Sequence, residues 1–421
     1  MKNPSKIVFM HHAGEIGGSS MSLLYLARDL NRKLYEPTIV LIRPSEKLQR
    51  LYGDAGIAVV NAKGISTFEH TTAKSYSVLK PWLWFQIIYQ MYLGLRSIYA
   101  TRNIVRQLNP DIVHLNSVVL LWSAFSLRNA AFPVVWHVRE HPVKGLFGLR
   151  KNFIRYALSH WPTCGIFLTE TAKREWIGNR TGDVVTNFVN FAEFDYRTPS
   201  EGFVKQHALE GKFPIILYVG GIMEIKGVLT LLQALSIVQK RFDSVCCLMP
   251  GSIVPAKAKR NVKFFMKKGL SVLGIKFISQ KFFESVEKYR LNDVCLCLPF
   301  QTDMAVAYSA CDIVAFPAVE PHFSRPILEA GAMKKPVVAS NLPGIEEQLK
   351  NGGNGILVSP RNPQELAQAI VSLAENADMM TNMGEAGYVL AKTNHASPKI
   401  IAQVETLYAR LLASRNIESS M

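Results

Sequence analysis

The stretch EPHFSRPILEAGA, residues 320–332, sets two carboxylates, Glu320 and Glu329, on either side of a histidine, an arginine and a proline. A carboxylate accepts two hydrogen bonds, which suits the paired hydroxyls of a ribose or another sugar. Pro326 fits the first turn of a helix, so Ser324 is a candidate N-cap and Glu329 falls inside the helix. Glu320 then lies in the loop before it, and backbone amides around Phe323 and Ser324 would be open to a ligand. The plain alternative is two solvated acids flanking an ordinary helix start.

Three other stretches have comparable chemistry. HHAGEIGGSSMSLLYLARDL (11–30) ends a strand, turns on Gly17 and Gly18, and opens a helix near Ser19 or Ser20. Helix-start amides favour a phosphate and the glycines admit close approach, although G-x-G-x-x-G is absent. LYVGGIMEIKGVLTLLQAL (217–235) repeats the junction. Gly220 and Gly221 end the strand and Lys226 stands at the helix start, where the dipole repels a cation and a bound anion would relieve it. VVWHVREHPV (134–143) ends a strand at His137, Arg139, Glu140 and His141. Read alone, these are equally a tight turn, a surface lysine and a core histidine.

All four fall where a strand gives way to a helix, so the elements that position them matter. Short apolar runs at 6–11, 37–42, 57–62, 111–116, 133–138, 163–168 and 183–189 read as strands separated by amphipathic helices. A second series follows at 214–220, 244–250, 294–300, 312–318, 336–340 and 355–360. Continuous apolar strands alternating with helices predict parallel sheets covered on both faces. The polar segment 191–213 reads as a linker. The expected organisation is α/β: an N-terminal Rossmann-like domain over 1–195, a second over 196–395, and a final helix over 396–421. Ligands of doubly wound sheets sit beyond the carboxyl ends of the strands, here in a cleft between the domains.

Composition sets bounds. The chain has 421 residues, 48 basic against 32 acidic, and a net charge of +16. Such a surplus favours anionic partners: nucleic acid, an anionic membrane surface or phosphorylated small molecules. No nucleic-acid-binding motif accompanies it. The six cysteines lie mostly in apolar strands with no zinc spacing, and read as reduced core residues. The apolar run at the N-terminus is too short for a signal peptide, and no charge-free stretch reaches membrane-spanning length. A cytoplasmic protein is expected.

At these residues the chain resembles the retaining glycosyltransferases of family 4, the glycosyl transferases group 1, which have the GT-B fold. The likeness is sharpest over 311–370, where CDIVAFPAVE, LEAGA, PVVAS, GGNGILV and NPQELAQAI keep the family order. It implies a hexosyltransferase-type enzyme using a UDP- or GDP-sugar, with no metal and no further cofactor. By position, it implies that Gly17, Gly18 and Gly220 approach the donor, that Lys226 binds the diphosphate, and that His137 lies near the transferred sugar. Glu329 would hold the donor ribose, and the loop at Phe323 and Ser324 would meet sugar hydroxyls. Three departures stand out. The first family glutamate falls on Pro321, so its role passes to Glu320 or His322. The arginine of the G-R pair is Gly221, and Arg325 is a candidate to supply the lost phosphate contact. The N-G-V-D stretch reads Asn187-Phe188-Val189-Asn190. In GT-B proteins the last helix crosses back onto the N-terminal domain, which fits the helical pattern from Ser397.

The segment 74–108 packs Trp82, Trp84, Phe85, Tyr89, Tyr92 and Tyr99 among Lys74, Lys80, Arg96, Arg102 and Arg106 with no acid. Aromatics with basic flanks suit an interfacial helix on anionic lipid, Trp82, Trp84, Phe85 and Arg96 making the contact; a core helix is the alternative. The basic stretch 257–283 adds a second possible contact. The expected partners are therefore a nucleotide sugar, a saccharide or lipid-linked acceptor of envelope polysaccharide or lipopolysaccharide assembly, and the inner face of the cytoplasmic membrane. The competing readings are a GT-B nucleotide-sugar epimerase and a non-catalytic polyanion-binding protein.

Overall fold

The central apolar runs become parallel strands buried on both faces, while the runs at 57–62, 183–189 and 294–300 give partly exposed strands at the sheet edges. The computed structural model describes residues 3–68, 84–142, 146–252, 278–301, 303–321 and 323–418. The strands are β1 (Ser5–His11), β2 (Tyr35–Leu41), β3 (Ala58–Asn61), β4 (Ile112–Asn116), β5 (Val134–Val138), β6 (Cys164–Phe167) and β7 (Asp183–Val184), then β8 (Ile215–Leu217), β9 (Cys246–Pro250), β10 (Cys295–Leu298), β11 (Ile313–Phe316), β12 (Val337–Ser340) and β13 (Gly355–Val358). The helices used below are α1 (Gly18–Asp29), α2 (Glu46–Gly53), α3 (Trp84–Leu108), α4 (Leu121–Leu127), α5 (Leu149–His160), α6 (Glu170–Ile177), α7 (Glu201–Gln206), α8 (Val228–Val238), α9 (Ile278–Lys288), α10 (Met304–Ala310), α11 (Arg325–Ala332), α12 (Pro363–Ala374), α13 (Ala377–Asn394) and α14 (Ser397–Glu418).

The chain divides into two compact units: unit 1 is 1–188 with 397–421, and unit 2 is 189–396. Unit 1 carries a seven-stranded sheet in the order β3-β2-β1-β4-β5-β6-β7. Alternate residues feed two cores. One, with Ile7, Phe9 and Val135, packs under α1 and α14, which contributes Ile400, Val404, Leu407 and Tyr408. The other, with Val8, Met10, Trp136 and Val138, packs under Val105 of α3 and Leu121 and Ala124 of α4. Unit 2 carries six strands in the order β10-β9-β8-β11-β12-β13 around Ile216, Leu231, Met249, Ile313 and Ile370.

Two expectations need adjustment. The run 183–189 is a strand only at Asp183–Val184. The polar segment 191–213 is no loose linker: it belongs to unit 2 and includes α7. Phe194 anchors it, its ring centroid 5.9 Å from that of Tyr308, and the Ser309 hydroxyl donates to the Thr198 carbonyl at 2.6 Å. Aromatic anchoring supplies the apolar contact that sequence periodicity did not reveal.

Candidate active site

In a doubly wound sheet the ligand crevice opens where the strand order reverses. In unit 2 the reversal lies between β8 and β11. The turn after β8 holds Gly220, Gly221 and Lys226; the loop after β11 holds Glu320, Phe323 and Ser324. The two are stitched together by the Val319 amide, which donates to the Ile225 carbonyl at 3.0 Å. Gly227 makes the close approach possible. Its φ is +75°, and a Cβ there would stand 1.7 Å from the Pro317 carbonyl oxygen. No other residue fits both constraints. The buried Tyr218 supports the turn from beneath, its hydroxyl 3.1 Å from the Gly221 carbonyl and 3.3 Å from that of Lys226.

Lys226 therefore stands at the reversal point, its ammonium 5.3 Å from the centroid of the Phe316 ring. Burial lowers its pKa from 10.5 to about 8. It keeps its proton at neutral pH, in a place that penalises the charge and rewards an arriving anion.

Helix α11 starts as the sequence suggests, with Ser324 at the N-cap and Pro326 in the first turn, but the cap works differently. The Ser324 hydroxyl makes no cap bond. Its amide, expected to be open to a ligand, donates instead to Gln348 Oε1 at 2.8 Å, and Gln348 Nε2 returns a bond to the Ser324 carbonyl at 2.7 Å. A fully buried glutamine thus clamps the loop before α11 from both sides. Phe323 turns its ring inward, 6.1 Å from His395 between centroids.

Glu329 is buried and held on both oxygens. Arg325 donates to Oε1 through Nε at 3.1 Å and Nη2 at 2.9 Å, and Tyr308 donates to Oε2 at 2.9 Å. Residues four apart share a helix face, so the pair is built into α11. Arg325 is thereby committed to Glu329, which corrects its expected use as a substitute phosphate ligand. Each oxygen keeps lone-pair capacity, so a fixed carboxylate can still accept two ribose hydroxyls. Glu320 is exposed on the loop. His322 lies outside the described residues.

In unit 1 the reversal lies between β1 and β4. Gly17 is the N-cap of α1, with open space around its Cα. Gly18 opens the helix. Behind them sits a polar network the sequence reading did not assemble. The Ser20 hydroxyl donates to the Glu15 carbonyl, so at 3.1 Å it accepts from His11 Nε2, and His11 Nδ1 accepts from Asn116 at 3.2 Å. Burial pushes His11 down to about 3, so it stays neutral. Asn116 Oδ1 accepts from Arg139 Nε at 2.6 Å, and Arg139 Nη1 donates to Asn187 at 2.8 Å. Glu140 accepts from the Ser117 hydroxyl and from the Val118 and Arg139 amides, both at 3.0 Å. The signal for this network was polar residues ending β1 and β4 and lying in the loops after β4, β5 and β7, spread over 177 positions (11 to 187, inclusive).

His137 lies beside Asn116 in the sheet register, but among the described residues none of its hydrogen bonds joins this network. It shares the β5 face with Val135, which points toward α14. Its Nδ1 lies 3.2 Å from His114 Nε2, and His114 Nδ1 lies 2.7 Å from the Tyr408 hydroxyl. Burial, and then the Arg139 charge, depresses His137 well below its ordinary value. The expectation that His137 meets the transferred sugar is corrected to that of a buried histidine packed under α14, because strand alternation turns it inward. Arg139, one residue past the strand, occupies the end position instead.

Of the expected membrane contacts, Phe85 and Arg96 are exposed on α3, Trp84 begins that helix, and Trp82 lies outside the described residues. Most of the basic stretch 257–283 also lies outside them. Among the described residues no helix is long and apolar enough to cross a membrane.

Residues 200–389 match the family described as Glycosyl transferases group 1. The D-inositol 3-phosphate glycosyltransferase of Corynebacterium glutamicum (strain R) is 29% identical over 117 residues, 28% of either chain. The capsular polysaccharide biosynthesis glycosyltransferase CapM of Staphylococcus aureus is 23% identical over 209 residues, 49% of either chain. These alignments span about half or less of the relatives' own lengths. Among solved structures, Anabaena HepE in complex with UDP and glucose superposes with a TM-score of 0.74 at 19% identity, covering 96% of this chain and 99% of that one. WaaG, a glycosyltransferase involved in lipopolysaccharide biosynthesis, gives 0.67 at 12% identity over 94% and 99%. At such identities the likeness speaks for the fold. With its two Rossmann-like sheets the chain has the GT-B fold, and its residues 200–389 are a glycosyl transferases group 1 domain.

Proposed function

We propose that the chain is a retaining hexosyltransferase that moves a sugar from a UDP- or GDP-sugar to a saccharide or lipid-linked acceptor in cell-envelope polysaccharide or lipopolysaccharide assembly. The observation that carries this reading is Glu329: a buried carboxylate, fixed by Arg325 and Tyr308, on the helix that starts at the strand-order reversal of the group 1 domain. The named relatives support it. HepE was solved with UDP and glucose, and CapM is named for capsular polysaccharide biosynthesis.

Unit 2 takes the donor. Glu329 accepts the two ribose hydroxyls, and the diphosphate lies by Lys226 at the start of α8. Lys226 stabilises the charge that grows on the leaving phosphate as the glycosidic bond breaks. The acceptor hydroxyl attacks the face that the diphosphate leaves, so configuration is retained, and a leaving-phosphate oxygen takes the hydroxyl proton. Glu320, exposed on the loop before α11, lies on the sugar side of the donor. Unit 1 takes the acceptor, and the amides at Gly17 and Gly18 open its first helix toward a ligand. Phe85 and Arg96 of α3 rest on an anionic membrane at its cytoplasmic face.

Thermal unfolding with a panel of nucleotide sugars tests this reading on the wild type and Glu329→Ala. One donor should stabilise the wild type and leave the variant unmoved. A donor that stabilises both equally removes Glu329 from the site, and a panel without effect counts against transfer.

A further inference from the structure

Helix α3 has a packed face and an unpartnered one. Gly94, Ser97, Ile98, Thr101 and Val105 are buried, and a Cβ at Gly94 would meet the Trp122 ring of α4 at 2.4 Å. The ten residues before Gly94 extend roughly 15 Å past that contact at 1.5 Å per residue. On the outer face Phe85, Ile88, Tyr92, Leu95 and Tyr99 recur at spacings of three and four, each between 58% and 83% exposed. The same spacing continues as Arg102 and Arg106. An apolar stripe therefore runs directly into a cationic one.

The cationic end faces a cavity of about 730 Å³. Lys63 and Asn61, at the end of β3, line one side; Arg96, Tyr99, Arg102 and Arg106 line the other, with no acid in the lining. Among the described residues Lys63, Arg96 and Arg106 form no ion pair, and Arg102 is anchored through Nε to the Ser126 carbonyl at 3.3 Å. Four cations converging without a carboxylate repel one another until an anion enters. Tyr99 belongs to both the stripe and the cavity.

We propose that this cavity binds the phosphate of a lipid whose acyl or prenyl chain lies along the Phe85–Tyr99 stripe. The inference deepens the proposed transfer, and rests on it only for the view that this lipid carries the acceptor. The chemistry recognised is a phosphate or diphosphate; the apolar stripe continuous with it assigns a lipid as the source. A second copy of the chain is disfavoured as occupant, because a second α3 would bring further arginines and no acid to the cations of the cavity.

The test uses the full chain, sedimented with vesicles of phosphatidylcholine alone or with phosphatidylglycerol, and titrated with inorganic pyrophosphate. The wild type should bind only the anionic vesicles. Arg102→Gln with Arg106→Gln should weaken that binding roughly 30-fold, taking about fivefold per basic residue near an anionic surface. Ile88→Ser with Leu95→Ser should weaken vesicle binding while leaving pyrophosphate affinity unchanged. Wild-type vesicle binding by the arginine variant overturns the cavity assignment. Vesicle binding untouched by the serine variant, with tight pyrophosphate binding, makes free phosphate the ligand and overturns the lipid. Self-association abolished by the serine variant, with no vesicle binding, assigns the face to a second copy. The nucleotide-sugar thermal shift should survive in every variant. Its absence from the wild type would sink the transfer reading and leave the vesicle result standing.

Discussion

Replacing Lys226 by methionine separates the residue's function from its effect on stability. Burial takes its pKa from 10.5 to about 8. At about 1.4 kcal/mol per unit, the difference of 2.5 (10.5 minus 8) corresponds to about 3.4 kcal/mol. Below pH 8 the folded and unfolded chains both carry the proton, so the burial penalty is fully present. Between pH 8 and 10.5 the folded chain sheds the proton first, and the wild type regains stability as pH rises. Methionine fills similar volume without the charge. The variant should therefore be the more stable protein at pH 7, by about 1–3 kcal/mol once the lost contact with the Phe316 ring is set against the full penalty. Its advantage should fall close to zero by pH 10. Urea denaturation of both proteins at pH 7 and pH 10 measures this directly, and nucleotide-sugar stabilisation should vanish in the variant at either pH. A variant less stable than wild type at pH 7, or a difference that ignores pH, would refute the reasoning.

Two further substitutions probe the loops around Lys226. Gly227→Ala forces a side chain into a φ of +75° and onto the Pro317 carbonyl. It should lower stability by about 2–4 kcal/mol, adding left-handed strain to overpacking, and denaturant unfolding that changes by less than 1 would contradict the close approach. Gln348→Leu strips both hydrogen bonds from the Ser324 backbone. A loss of about 1–3 kcal/mol is expected, with weaker donor binding, and a protein of unchanged melting temperature would show that the clamp is idle.

The fold was legible because period and burial agree: every apolar run became a parallel strand, all but the first two of them shortened by one to five residues. The junctions were legible for the same reason, since a Gly-rich turn between a buried strand and a helix leaves few alternatives. Side-chain partnerships were not. Tyr308 meets Glu329 across 21 residues and Gln348 meets Ser324 across 24. Nothing in local spacing encodes such pairs, because they depend on how neighbouring strands deliver their loops. His137 shows the converse limit. Its position near a strand end was right, but the pleat turns alternate residues to opposite faces, and a shift of one decides between core and rim. Arg139 was in view in VVWHVREHPV, yet its partners are Asn116 at the end of β4 and Asn187 in the loop after β7.

The last helix has a consequence for synthesis. Unit 1 needs α14 to cover one face of its sheet, since Ile400, Ile401, Val404, Leu407, Tyr408 and Leu411 all sit in that core. Yet α14 follows the whole of unit 2 in the chain. On the ribosome, unit 2 can close its core as soon as residue 396 emerges, whereas the sheet of unit 1 must wait, with one face only partly covered by α1 and α2, for a helix made after unit 2. The nascent unit 1 is thus the stretch most exposed to chaperones and to misassociation, and its order of completion is the reverse of its order of translation.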